Sequence, residues 1–147
     1  LWILPLQKDG KPHRFTATPF HEGQARFSPD GKWVAYASDE SGQTQIWVKP
    51  FPGPGRAIQI STDGGSDPAW SRDGKRLYYM WRNRISVVRL GNPDDFSSPK
   101  PEILFKTKDS IRSFDVAPND EFVAILRNES ELPPNHVIVN WAGEIQN

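Results

Sequence analysis

Apolar residues recur along this chain in short alternating runs, and almost every run is bounded by Gly, Pro, Asp or Asn. Such alternation is the period of half-buried β-strands, not of helices. The longest stretches free of both Gly and Pro are 16 residues, Lys75–Leu90 and Glu102–Ala117. Both are rich in β-branched and aromatic side chains, which favour strands. The pattern predicts strands at Leu1–Leu6, His13–Thr16, Gln24–Ser28, Lys32–Ser38, Thr44–Lys49 and Arg56–Ser61. It continues with Pro68–Ser71, Lys75–Trp81, Ile85–Leu90, Pro101–Lys106, Ile111–Val116, Phe122–Arg127 and His136–Trp141. The expectation is an all-β protein.

The strands come in a repeating order. FSPDGKWVAYAS, residues 27–38, returns 43 residues later as WSRDGKRLYYMW, residues 70–81. A weaker third copy, VAPNDEFVAI, begins at Val116, 46 residues after Trp70. In it Pro118 matches Pro29, and Asn119-Asp120 stands for Asp-Gly. This spacing fits a four-stranded propeller blade, whose repeat is about 40–45 residues. In Ser28-Pro29-Asp30-Gly31 the proline fixes one turn dihedral and the glycine accepts the left-handed conformation, which joins two antiparallel strands. A β-sandwich also has short strands at such intervals, but the internal repeat argues against it.

The expected organisation is a single partial β-propeller over 1–147, with about three four-stranded antiparallel blades. Residues 1–17 form half a blade, 22–63 and 64–107 full blades, and 108–147 a blade lacking its outer strand. Propellers have about 4–8 blades. The arc therefore belongs to a larger propeller or closes a ring by homo-oligomerisation. Trp33, Tyr36, Trp47, Trp70 and Tyr79 are candidates for the apolar faces that end blades would expose. The chain opens on Leu1 and holds a single methionine, Met80, so it reads as a piece of something longer.

Charge narrows the partners. Eighteen basic and 18 acidic residues give a formal net charge of zero, with no basic stripe. No nucleic-acid partner is expected, and without an apolar run of about 20 residues no membrane insertion by this segment. Cysteine is absent, which excludes disulfides and thiolate chemistry.

FSPDGKWVAYASDESG and PAWSRDGKRLYY resemble the TolB-like (WD-repeat-like) bacterial β-propeller repeat. IWVKPFPGPGRAIQISTDGGSDPAWSRDGK, residues 46–75, is more similar still to the C-terminal propeller of receptor-type bacterial serine/threonine protein kinases. HVIVNWAGEI, from His136, resembles the strand that ends those chains. The resemblance implies a propeller acting as a sensor or interaction platform, periplasmic or otherwise outside the cytoplasm. It carries no kinase activity, because neither a Gly-rich loop nor a catalytic-loop motif is present. The same repeat occurs in TolB and in the propeller that gates prolyl-oligopeptidase-like peptidases.

Candidate chemistry is sparse. His13, His21 and His136 have no HxH or HExxH spacing, so no metal or cofactor is expected. Ser28 and Ser71 lack G-x-S-x-G and read as turn residues. Asp39-Glu40 and Asp63–Asp67 are acidic but do not follow a calcium-loop spacing. Arg82 and Arg84 flank Asn83 in a tight hairpin beside Trp81, where they suit an acidic partner or a glycan. Blade geometry gathers the loops after outer strands, and those between second and third strands, on one face. That face holds the binding candidates His21, Glu22, Asp39, Glu40, Asp63, Ser66, Asp67, Arg82, Arg84 and Asp109. The resulting expectation is a non-catalytic module for a protein or small-molecule ligand. The alternatives are a substrate-gating peptidase propeller and a self-assembling arc.

Overall fold

The computed structural model describes residues 1–90, 96, 99–127 and 136–139. Strands β1 (Trp2–Ile3) and β2 (His13–Arg14) pair as a short ribbon. Strands β3 (Glu22–Phe27), β4 (Trp33–Ser38), β5 (Gln45–Pro50) and β6 (Ile58–Gln59) form an antiparallel meander. A second follows in β7 (Ser66–Trp70), β8 (Arg76–Trp81), β9 (Arg84–Arg89) and β10 (Pro101–Lys106). The last sheet holds β11 (Ser110–Val116), β12 (Phe122–Arg127) and β13 (His136–Val139). No helix occurs among the described residues, and so none that could cross a membrane. The part of the expected last strand beyond Val139 lies outside the described residues.

The first strands of successive sheets, β3, β7 and β11, lie side by side, and apolar layers fill the space between sheets. Period-two alternation explains how one strand serves two layers. On β4, Val34 and Tyr36 pack back onto Phe15, while Ala35 and Ala37 pack forward with Leu77 and Tyr79 of β8. The other face of β8 sends Tyr78 and Met80 into a layer with Phe105, Ile111 and Phe122. Each fully buried large side chain in these layers contributes about 1.5–3 kcal/mol. Stacked four-stranded meanders with their first strands together are the blades of a β-propeller, and the fold is all-β as the sequence pattern indicates.

Two expectations are corrected. The aromatics assigned to exposed end faces lie between blades: Tyr36 and Tyr79 are buried, and Trp33 and Trp70 pack on the same layer. Trp47 is half-buried against the Phe15 layer. The central strands of both full blades are flanked on each side, so their aromatics are interior. The exposed apolar residues are others, among them Trp2, Leu4 and Leu6 of the first segment and Val123 of β12. The outer strand expected over 56–61 shrinks to Ile58–Gln59, with two register pairs to β5. Pro50, Pro52 and Pro54 supply no N–H donors before it. After it, the Ile60 and Ser61 amides both turn to the Ile46 carbonyl, at 2.7 and 3.4 Å.

The Asp-Gly turns are built alike. Ser28 Oγ donates to Asp30 Oδ1 at 2.6 Å and accepts from the Trp33 amide at 3.0 Å. Ser71 Oγ donates to Asp73 Oδ1 at 2.6 Å and accepts from the Arg76 amide at 2.9 Å. Gly31 and Gly74 take φ of 71° and 70°. In the third copy Asp120 takes this conformation, φ 65°, and Ala117 replaces the serine. The Asp120 side chain then joins blades: it accepts from Tyr78 Oη at 3.2 Å and pairs with Arg76 Nη2 at 2.8 Å.

Hydrogen bonds from the serine hydroxyls, and from the Lys32 and Lys75 amides, hold the Asp30 and Asp73 carboxyls below their ordinary value of 3.8. A depressed carboxyl stabilises the fold above that ordinary value and loses the effect as pH falls through the folded value. Asp30→Asn and Asp73→Asn are expected to destabilise modestly at pH 7. The difference from the parent chain should shrink by pH 3, as read by urea unfolding at both pH values.

Candidate functional site

The loop face forms where four segments meet. The Gly65 amide donates to the Thr44 carbonyl at 3.0 Å, which ties the link between the two full blades to the β4–β5 turn. The Ile111 amide donates to the Arg82 carbonyl at 2.8 Å, tying the last sheet to the β8–β9 turn. The Ser28–Trp33 and Ser71–Arg76 turns lie at the other end of their strands, where they share a separate cleft.

The ten sequence candidates separate into groups. His21 and Asp39 meet: Asp39 accepts from the His21 amide at 2.9 Å, and its other oxygen lies 3.0 Å from His21 Nδ1. The ring is otherwise exposed. Glu40 is exposed beside this pair. Glu22 is turned inward, its side chain only 6% exposed. Its carboxylate accepts from Thr16, from the Leu1 nitrogen at 3.0 Å and from Thr18 at 2.9 Å. Burial raises the Glu22 carboxyl, but these hydrogen bonds outweigh it and leave the group below its ordinary value.

Ser66 donates to the Met80 carbonyl at 3.3 Å. Asp67 takes φ 48°, and its amide donates to Gln24 Oε1 at 3.0 Å across the blade boundary. Gln24, at φ 55°, holds the equivalent place 43 residues earlier, and both sit in bulges of first strands. Burial raises the Asp67 carboxyl above its ordinary value; the Arg26 charge and the Gln24 hydrogen bond only partly oppose this. Asp109 is half-exposed, and its carbonyl accepts from Thr107 Oγ1 at 2.5 Å.

Three candidates share a cleft of about 360 Å³: Asp63, Arg82 and Arg84. Arg84 Nη2 donates to the Asp63 carbonyl at 2.8 Å, so the link between blades holds the guanidinium in place. Trp81 forms one wall, packed on the backbone of Gly64. Asn83, Gln43 and Lys106 also line it, and sequence reasoning missed Gln43 and Lys106 as site residues. Lys106 stands directly opposite Arg84 across β9–β10, a proximity that only the register reveals. Among the described residues no group of three or more His, Cys, Asp or Glu is placed to hold a metal ion.

The architecture defines the class as a β-propeller of four-stranded blades, and solved structures agree. TolB from Acinetobacter baumannii superposes with a TM-score of 0.61 at 23% identity, covering 81% of this chain and 30% of that one. An oligogalacturonate lyase from Vibrio parahaemolyticus gives 0.63 at 16% identity, covering 82% and 34%. A tricorn protease homolog of Streptomyces coelicolor is 37% identical over 68 residues, 46% of this chain and 6% of the relative. The chain thus spans about a third of these structures and a small part of that relative. No family model matches it.

Proposed function

We propose that this chain is a non-catalytic β-propeller module that binds or senses a ligand for a larger bacterial protein. The observation that carries the reading is the loop face, where neighbouring blades bring Asp63, Arg82 and Arg84 into one polar cleft. Ser28 and Ser71 are committed to their turns, which favours structural work for them over nucleophilic work. The resemblance of residues 46–75 to receptor-kinase propellers favours a sensor outside the cytoplasm. Hydrolysis of a fluorogenic peptide that co-elutes with the purified chain would overturn the non-catalytic reading.

A second reading, the propeller of a peptidase, is favoured by the 68-residue likeness to a tricorn protease homolog. The sequence of the full gene separates the two. A kinase domain followed by one membrane-spanning helix supports the sensor, and a hydrolase segment with G-x-S-x-G supports the peptidase. Self-assembly is the third proposal, favoured by exposed Trp2, Leu4 and Val123. Light scattering on a sizing column tests it: a discrete dimer or trimer supports ring completion, and a monomer removes it.

A further inference from the structure

The Arg84 cleft contains an electrostatic arrangement that the fold itself does not explain. Strands β8, β9 and β10 place like charges opposite each other at both ends of their ladders. At one end Arg76 faces Arg89. At the other, Arg84 faces Lys106. Like charges directly opposite destabilise a sheet. The first pair is neutralised within the protein. Arg76 meets Asp120 at 2.8 Å and Asp73 at 3.8 Å, and Arg89 meets Glu102 at 3.4 Å. For the second pair no carboxylate lies within ion-pair distance among the described residues. Arg82 adds a third cation, also without an ion pair among those residues, two positions before Arg84.

The backbone holds these cations together. The Thr107 amide donates to the Asn83 carbonyl at 2.8 Å, and Asn83 Nδ2 donates to the Thr107 carbonyl at 2.8 Å. This double link fixes the Arg82–Asn83 turn against the end of β10. Arg84 is anchored through Asp63, and its buried Nε has no hydrogen-bond partner among the described residues. Among the described residues the cleft is lined by three cationic residues, Arg82, Arg84 and Lys106, and one acidic residue, Asp63. It is open to solvent, and Trp81 and Gln43 are among its lining residues. A small molecule bound there would stay largely in water, whereas ligand pockets bury most of a small ligand. An extended chain can lie along the cleft and gain contacts beyond it.

We propose that this cleft docks an acidic peptide segment of a partner protein. Its Asp or Glu carboxylates supply the counter-charge that Arg82, Arg84 and Lys106 do not find among the described residues. Guanidinium groups match carboxylates in paired hydrogen bonds. This assignment rests on the chain being a binding module, and it names the chemistry of the ligand.

The test is fluorescence anisotropy of labelled hexaglutamate with the full chain, beside labelled hexaglutamine. Saturable binding of hexaglutamate alone is expected, lost in high salt as exposed charges are screened. Arg82→Gln and Lys106→Gln should each weaken it about fivefold, the scale of one exposed ion pair. Lys8→Gln, outside the cleft, should leave it unchanged. Unlabelled inorganic phosphate should compete more weakly than the peptide. The proposal is overturned by equal binding of hexaglutamine, by indifference to both cleft variants, or by phosphate competing as well as the peptide. A folded, monodisperse chain that ignores hexaglutamate overturns this assignment and leaves the module reading standing. A chain with no cooperative unfolding transition overturns both.

Discussion

Gly64→Ala is expected to lower the unfolding free energy by about 3 kcal/mol, one of the two largest losses predicted for this chain. Two independent terms meet at this position. Gly64 has φ +87°, where a side chain costs about 1–2 kcal/mol. A Cβ there would also fall 2.2 Å from Trp81 Cε2 and 2.4 Å from Nε1. Trp81 is held between the blade link and the β8–β9 turn, so relief of that clash costs a further ~1–3 kcal/mol. Two other glycines separate the terms. Gly42 has φ +94° with nothing among the described residues within 4 Å of a Cβ, so Gly42→Ala should show the backbone term alone. Gly23 has neither positive φ nor a close neighbour, so Gly23→Ala should be nearly neutral. Urea unfolding of the three variants checks the order. If Gly64→Ala proves no worse than Gly42→Ala, the Trp81 contact has no energetic weight. Because Trp81 walls the cleft, Gly64→Ala should also weaken hexaglutamate binding, while Gly42→Ala should not.

The blades were legible because their determinants are local. Ser28, Asp30 and Gly31 close one turn among themselves, and the same residue types do so at 71–74. Even the degenerate copy could be read, since Asp120 can take the left-handed conformation that glycine takes elsewhere. What the sequence left dark depends on residues far apart in the chain. The ten candidates were placed by blade geometry, which assigns a face without a side-chain direction. Glu22 therefore looked like a loop carboxylate, although Thr16 and Thr18 draw it inward. Lys106 was invisible as a neighbour of Arg84, because their 22-residue separation is bridged only by the β9–β10 register. The aromatics expected on end faces pack between blades instead. Which layer an aromatic joins depends on the sheet stacked against it.

Gln45 is the clearest case of a residue that pattern alone misreads, and replacing it is the second large predicted effect. Alternation on β5 places Gln45 with Lys49, as a polar position, yet it is only 2% exposed. The link between blades crosses over it. Gln45 Oε1 accepts from Ser61 Oγ at 2.6 Å and from the Gly64 amide at 3.0 Å, and Nε2 donates to the Thr62 carbonyl at 3.0 Å. Ser61 Oγ in turn accepts from the Ile46 amide at 2.8 Å. Gln43 reaches the same Thr62 carbonyl only at 3.4 Å. Gln45→Leu keeps most of the volume and strands the Gly64 amide, at about 1–3 kcal/mol for each buried group left unpaired. A loss of about 3 kcal/mol is expected, with no pH dependence of its own. Gln45→Glu keeps both acceptor contacts but buries a charge and sets an oxygen against the Thr62 carbonyl. Burial raises such a carboxyl in the folded state. The folded chain then holds the proton more tightly than the unfolded one, so stability should rise as pH falls through the raised value. The gain should level off below about 4.3, the ordinary glutamate value. The protonated acid can donate to Thr62 as the amide does. Unfolding of both variants between pH 4 and pH 8 decides the matter. Parallel curves would mean that Gln45 only fills space, and a Gln45→Glu curve that recovers toward the parent at low pH would mean that its hydrogen bonds hold the blade link in place.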